Sequence, residues 1–249
     1  MIKNIDIFNF LNEKYPVDTA MSFDNVGLLV GEGEAPVQKV LVALDCERTA
    51  IDKAIELGCT LIVSHHPVIF SGLKSVTDED CVYKLIKNGI SVISMHTNLD
   101  VGIGGVNDCL CDAVGLKNVQ TYIASDGFAL RIGEVDSLSA ADFAKQLKLS
   151  LGGSIKYTDN GRPISRVLVC SGSGGDFLSE VKLSACDALL SADIKHNVFI
   201  DSVNNGVSVF DAGHFNTEDV VIEPLASTIR GQFSGVDVIT YHPDIIYFE

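Results

Sequence analysis

His65 and His66 close an apolar run that begins at Leu61, His96 follows the run Ser91 to Met95, and His214 stands in Gly-His-x-x-Thr-Glu at 213–218. These are four of the six histidines in the chain. Neutral imidazole beside carboxylate is the ligand set of zinc, iron, manganese or nickel, and affinity order alone does not choose among them. His214 and Glu218 are four residues apart, so a helix starting near Gly213 places both on one face, within reach of a single ion. His96 and Asp100 repeat that separation. Consecutive residues leaving a strand point in different directions, so adjacent His65 and His66 are better served by two ions than by one. The pattern therefore predicts a dinuclear centre built from His65, His66, Asp100, His214 and Glu218, with Asp100 and Glu218 as the bridging carboxylates. His96 remains as an outer partner or a proton-transfer group.

Such a centre, with two divalent ions (Zn, Fe, Mn or Ni) per subunit, lowers the pKa of water, supplies hydroxide near neutral pH and stabilises charge on the attacked group. The chemistry this predicts is hydrolysis of a small molecule, with His96 as general acid or base. The alternative belongs to another class: a non-enzymatic metal-binding regulatory or scaffold protein. An enzyme keeps an open coordination position and a cleft with polar groups, whereas a scaffold's ion can be saturated by protein ligands.

The elements that must position these residues alternate between two periods. Ile5, Phe8, Leu11 and Tyr15 follow a helical spacing that Pro16 ends. Lys39 to Leu44 is short and nearly all apolar, as a strand covered on both faces should be. Ala50 to Leu57 reads as a helix stopped by Gly58, Leu61 to Val63 as a second strand, Cys81 to Lys87 as a helix stopped at Asn88 and Gly89, and Ser91 to Met95 as a third strand. Strand, helix, strand, helix, strand is the signature of an α/β protein with a parallel sheet, which binds ligands at the carboxyl ends of its strands. The second half repeats the first. Arg166 to Cys170 (RVLVC) parallels Lys39 to Ala43 (KVLVA), and Asn88 to Asp100 resembles Asn205 to Glu218 with one residue inserted. The expected architecture is thus two similar, intertwined α/β units from an internal duplication, with the metal site between them. The approximate halves are 1–121 and 158–249, with a bridging segment 122–157 and no large inserted domain.

The 249 residues suffice for a substantial core, and 47% hydrophobic with 20% charged residues is a globular composition. Against 18 Lys and Arg stand 33 Asp and Glu, a formal net charge of −15. That balance argues against nucleic acid as a partner, because nothing would neutralise a run of phosphates, while a small anionic substrate would need local cations or bound metal. No segment reaches the ~18 continuous apolar residues of a membrane span. The opening residues lack a signal-peptide apolar core, and a cytoplasmic location is expected. The seven cysteines form no Cys-x-x-Cys pair, which makes a disulfide framework or a thiolate zinc site a weak reading and small core residues the better one.

Two glycine-rich stretches, Gly102 to Asn107 and Ser171 to Gly175, have the composition of phosphate cradles or of tight turns. Neither is a P-loop, since no Gly-Lys-Ser/Thr follows. Tight-turn geometry is the expectation for the first, and for Ser171, Ser173 and Gly174 both readings stay open.

Ser-His-His-Pro at 64–67, His-Thr-Asn-Leu-Asp at 96–100 and Gly-His-x-x-Thr-Glu at 213–218, in this order, resemble the GTP cyclohydrolase I type 2 homologue family, also called the NIF-three-like family. Asp24-Asn25-x-Gly27-Leu28 and the Ser-Gly-Ser-Gly loop at 171–174 are similar as well, so the resemblance covers nearly the whole chain. It implies a two-metal centre on the same five ligands, a ring-shaped homohexamer whose sites face an inner cavity, and opening of the purine imidazole ring of GTP by C–N hydrolysis. Phe23 departs from the pattern, standing where many relatives have Trp.

Overall fold

The computed structural model describes residues 1–243, 245 and 246. In chain order it forms α1 (Asn4–Lys14), β1 (Gly27–Val30), β2 (Lys39–Ala43), α2 (Arg48–Leu57), β3 (Leu61–Ser64), α3 (Cys81–Lys87), β4 (Ser91–Ser94) and α4 (Thr97–Val101). It continues through α5 (Val106–Ala113), β5 (Lys117–Ile123), β6 (Ala129–Leu138), α6 (Ala140–Leu151), β7 (Lys156–Tyr157), β8 (Ile164–Val169) and α7 (Leu178–Leu183). Then follow β9 (Ala188–Ser191), α8 (His196–Asn205), β10 (Ser208–Asp211), α9 (His214–Glu218), α10 (Ile222–Gln232) and β11 (Asp237–Tyr241). The chain is α/β, and it divides into a unit of Met1–Gly105 with Ile222–Ile245 and a unit built on Val106–Val221.

In the first unit a five-stranded sheet runs in the order β1-β4-β3-β2-β11. Strands β11, β2, β3 and β4 are parallel, with Val40 opposite Leu61 and Leu61 opposite Ser91, and β1 is antiparallel to β4. All of β3 and β4 is buried, as their continuous apolar sequence requires of a sheet covered on both faces. Leu41, Ile62 and Val92 pack with Ile51 and Ala54 of α2 and Leu85 of α3. Helix α2 starts two residues before the apolar spacing indicates, because the Glu47 carboxylate accepts from the backbone N–H groups of Thr49 and Ala50 and caps it. Gly58, at φ +70°, ends it in the left-handed conformation.

In the second unit a six-stranded sheet runs β5-β6-β8-β9-β10-β7. Its centre, parallel β8, β9 and β10 with antiparallel β7 on the outer edge, repeats β2, β3, β4 and β1 of the first unit. The two sheets differ on the other flank, where antiparallel β6 lies beside β8 and parallel β11 lies beside β2. Phe143 of α6 meets Phe210 of β10 edge to face, 4.9 Å between centroids, within a core that also holds Leu147, Val167 and Leu190.

Residues 122–157, read from the sequence as a bridge, supply β6, α6 and β7 to the second unit. The final segment returns to the first unit for a physical reason: β11 satisfies the open backbone edge of β2, with Val238 opposite Val40, and Leu225 and Ile229 of α10 are buried. Among the described residues no helix is long and apolar enough to cross a membrane.

Candidate metal centre

In the first unit the histidines lie at the carboxyl ends of adjacent parallel strands. His65 and His66 follow β3, and His96 is separated from β4 only by Met95. The sheet pattern runs on past β3, since the N–H groups of His65 and His66 donate to the carbonyls of Ala43 and Leu44. The Ser64 hydroxyl donates to the His66 carbonyl at 2.8 Å and turns the chain at that point. The two rings therefore do not diverge as consecutive strand residues should: their centroids are 4.9 Å apart. The His96 ring stands edge-on to both, 5.1 Å from His65 and 5.5 Å from His66. One ring nitrogen from each of the three lies within 4.8 Å of the others, an arrangement that can hold a metal ion.

Each ring is held at Nδ1. His65 donates to the Met95 carbonyl at 2.9 Å, His66 to Asp45 at 2.8 Å and His96 to Asp24 at 2.8 Å. A carbonyl or a carboxylate can only accept, so Nδ1 carries the proton and the lone pair of the neutral ring is on Nε2. Asp24 also takes the backbone N–H of Thr97 at 3.0 Å and its hydroxyl at 2.5 Å. Burial by itself would raise the Asp24 carboxyl, but these hydrogen bonds from His96 and Thr97 outweigh it and hold the group well below the usual carboxylate range. Asp100, on α4 and 8% exposed, brings Oδ1 to 3.6 Å from His65 Nε2. His96 caps α4 from the position before it, and its carbonyl accepts from the Asp100 N–H at 3.1 Å.

In the second unit His214 opens α9 and Glu218 closes it, and the i,i+4 spacing sets Nε2 3.0 Å from Oε2. His214 Nδ1 donates to Asp193 at 2.7 Å, which repeats the arrangement of His66 with Asp45. Asp193 follows β9 as Asp45 follows β2. Glu218 is 3% exposed. Gly172, at φ +57°, passes so close that a Cβ there would overlap Glu218 Oε1 and lie 3.3 Å from His214 Nε2. Three amides of this loop are already occupied: Ser171 N–H donates to Asn107 Oδ1, Gly172 N–H to the Thr217 hydroxyl and Gly174 N–H to the Ser191 hydroxyl. The 171–174 loop is a tight turn against the carboxylate. The 102–107 stretch is also a turn, because a side chain at Gly105 would overlap the Leu99 carbonyl.

Sequence reasoning missed Asp24, Asp45 and Asp193 as partners of the histidines. The duplication held the signal for two of them, since each directly succeeds or nearly succeeds a parallel strand. The donor set fits a divalent transition metal: imidazoles with their lone pairs fixed on Nε2, and buried carboxylates that burial would otherwise disfavour as anions.

These features define an α/β protein with two like sheets that presents histidine and carboxylate at the strand ends of each unit, residues able to hold a metal ion. The chain matches Duf34/NIF3 (NGG1p interacting factor 3) over residues 2–244, and it belongs to that family. It is 31% identical over 252 residues to a GTP cyclohydrolase 1 type 2 homolog of Clostridium acetobutylicum, spanning 96% of this chain and 94% of the relative. A protein of the same name from Clostridium perfringens is 32% identical over 236 residues, 90% of each chain. The crystal structure of Staphylococcus aureus hypothetical protein SA1388 superposes with a TM-score of 0.91 at 29% identity, covering 99% of both chains.

Proposed function

We propose that this chain is a metal-dependent hydrolase of a small molecule, with two divalent ions held by His65, His66, Asp100, His214 and Glu218 and with Asp100 and Glu218 as the bridging ligands. The observation that carries the reading is the shared treatment of His65, His66 and His214, each fixed at Nδ1 by an acceptor so that Nε2 presents its lone pair. A bound pair of this kind supplies hydroxide near neutral pH and stabilises negative charge on the attacked group. Asp45, Asp193 and the Met95 carbonyl keep the three rings from rotating, and the largely buried carboxylates of Asp100 and Glu218 balance the cationic charge. The name of the Clostridium relatives supports GTP as the first substrate to try, through C–N hydrolysis of its purine ring. The ring-shaped homohexamer implied by the sequence resemblance is part of this proposal, and the formal charge of −15 speaks against nucleic acid as partner.

The test is metal analysis joined to a substrate screen. Metal-free protein reloaded with zinc, iron, manganese or nickel is expected to take up two ions per chain and to turn over a member of a panel of nucleotides, esters and small amides that includes GTP. Glu218→Ala should cost both ions and the turnover. Full metal occupancy with no turnover across the panel would favour a scaffold over an enzyme, and uptake of a single ion would end the dinuclear reading.

A further inference from the structure

We propose that Phe23 and Phe70 form an aromatic platform on which the planar heteroaromatic ring of a small-molecule substrate stacks, beside the first-unit histidines. The proposal rests on the reading of this site as one that takes a small molecule, and it deepens that reading by naming the surface that selects the substrate class. It does not depend on the number or identity of bound ions.

Three observations carry it. The first is exposure. Phe23 is 59% exposed and Phe70 52%, yet the two rings adjoin, with centroids 6.2 Å apart and planes tilted by 52°. A single exposed apolar side chain is ordinary and needs no explanation. Two large rings side by side in solvent forgo the gain of burial together, and an apolar patch of that kind marks a binding surface.

The second is rigidity. Phe23 stands in a turn closed by the Asp24 N–H, which donates to the Met21 carbonyl at 2.9 Å. Both ends of that turn are fastened to Thr97. The Met21 N–H donates to the Thr97 hydroxyl at 2.9 Å, and the Asp24 carboxylate accepts from the Thr97 N–H and hydroxyl. Phe70 is tied to the same loop, because Asn25 Nδ2 donates to the Ile69 carbonyl at 2.5 Å. None of these bonds requires an aromatic side chain at 23 or 70. Backbone fixed in advance lowers the entropy lost when a ligand settles on the rings, and an aromatic ring has only two torsions to immobilise.

The third is position. The Phe70 ring meets His96 edge to face, with 6.2 Å between centroids and 78° between planes. His96 in turn lies 5.1 Å from His65 and 5.5 Å from His66. A ring stacked on Phe23 and Phe70 therefore adjoins the side chain that touches the imidazoles, and its substituents are held where the chemistry is. Aromatic stacking accepts any flat heterocycle, since each has a π-face, and it offers nothing to an aliphatic ester or amide. The class selected is thus a heteroaromatic base, purine or pyrimidine, with the choice among bases left to polar contacts.

The experiment uses the full chain. The sequence contains no tryptophan, so Phe23→Trp places a single indole on the platform. Its fluorescence is followed while guanosine, cytidine or ribose 5-phosphate is added to zinc-loaded and to metal-free protein. Saturable quenching is expected with both nucleosides and in both metal states, and none with ribose 5-phosphate. Adding Phe70→Ala should weaken guanosine binding about 5–150-fold, with the circular dichroism of the wild type retained. Equilibrium dialysis of guanosine against wild type, Phe23→Ala and Phe70→Ala repeats the comparison without the indole, and both variants should lose affinity in that range while taking up as much zinc as wild type. Equal guanosine affinity in all three proteins, or quenching by ribose 5-phosphate as strong as by the nucleosides, would overturn the proposal. An emission shift on dilution with no nucleoside effect would also overturn it and assign the rings to a second copy of the chain. Wild type that hydrolyses an aliphatic ester or amide and binds no nucleoside would overturn the platform and leave the hydrolase standing. Nucleoside binding that both Phe variants weaken, in protein that takes up no metal, would instead support the platform and end the metal-hydrolase reading.

Discussion

Asp24 Oδ1 accepts from His96 Nδ1 at 2.8 Å across 72 residues of sequence. The bond joins the loop ahead of β1 to the turn after β4, and the Thr97 N–H and hydroxyl complete the grip on the same carboxylate. The ring cannot turn without breaking it. Such outer partners set the aim and the basicity of an imidazole that meets a metal.

Asp24→Asn keeps the size of the side chain and removes its charge. Loss of an outer carboxylate typically weakens metal binding about 10–100-fold. Calorimetric titration of the metal-free variant should show a weakening in that range, with the far-ultraviolet circular dichroism of the wild type retained. Equal affinity in variant and wild type would take Asp24 out of the metal centre.

Metal removal should lower the melting temperature. An ion that binds only the folded chain at about 100 times its dissociation constant adds about 2.7 kcal/mol of stability. For a domain of roughly 150–250 residues each kcal/mol moves the midpoint by about 2–4 °C. Calorimetry with and without a chelator should therefore differ by about 5–10 °C, and zinc added in excess of the chelator should restore the higher value. Coincident transitions would mean that the folded chain holds no ion.

The parallel strands β2, β3 and β4 were legible because their apolar runs are bounded by Gly58, by Gly89 and by the polar residues that follow each strand, all within a few positions. The same locality revealed the histidines, which stand where each run stops. What escaped depends on partners remote in sequence. Edge strands β1 and β11 have no pattern of their own beyond a few residues and exist because β4 and β2 offer open edges. The carboxylates behind His66 and His214 are each 21 residues away from their ring, and no spacing rule reaches that far. The convergence of His65 and His66 escaped for another reason: strand alternation governs side chains only while the strand is straight, and Ser64 bends it by capping the His66 carbonyl.

Thiol chemistry should be slow at neutral pH. Burial pushes the thiols of Cys59 and Cys109 up to about 11 and that of Cys111 up to about 12. Only the thiolate is nucleophilic, so at pH 8 roughly a thousandth of a thiol with pKa 11 is reactive. Native protein treated with iodoacetamide at pH 8 should show little labelling of these three by mass spectrometry within the time that unfolded protein acquires seven adducts. Labelling should rise as pH rises toward those values. Full labelling of the native chain at the rate of the unfolded one would show that the buried thiols are open to solvent.

Gly172→Ala isolates the contact between the 171–174 turn and the carboxylate of α9. The methyl group would occupy the space of Glu218 Oε1, and the residue sits at φ +57°, where a side chain costs about 1–2 kcal/mol. Gly161 is the control: its φ of +75° carries a similar backbone cost, and a Cβ there meets no atom within 4 Å. Both variants should lose similar stability from the backbone in urea denaturation. Gly172→Ala alone must also push Glu218 away from its place beside His214 Nε2. It should therefore lose further stability and bind fewer ions per chain, whereas Gly161→Ala keeps the metal content of the wild type. Matching losses in the two variants, with metal content unchanged in both, would show that the turn does not set the position of Glu218.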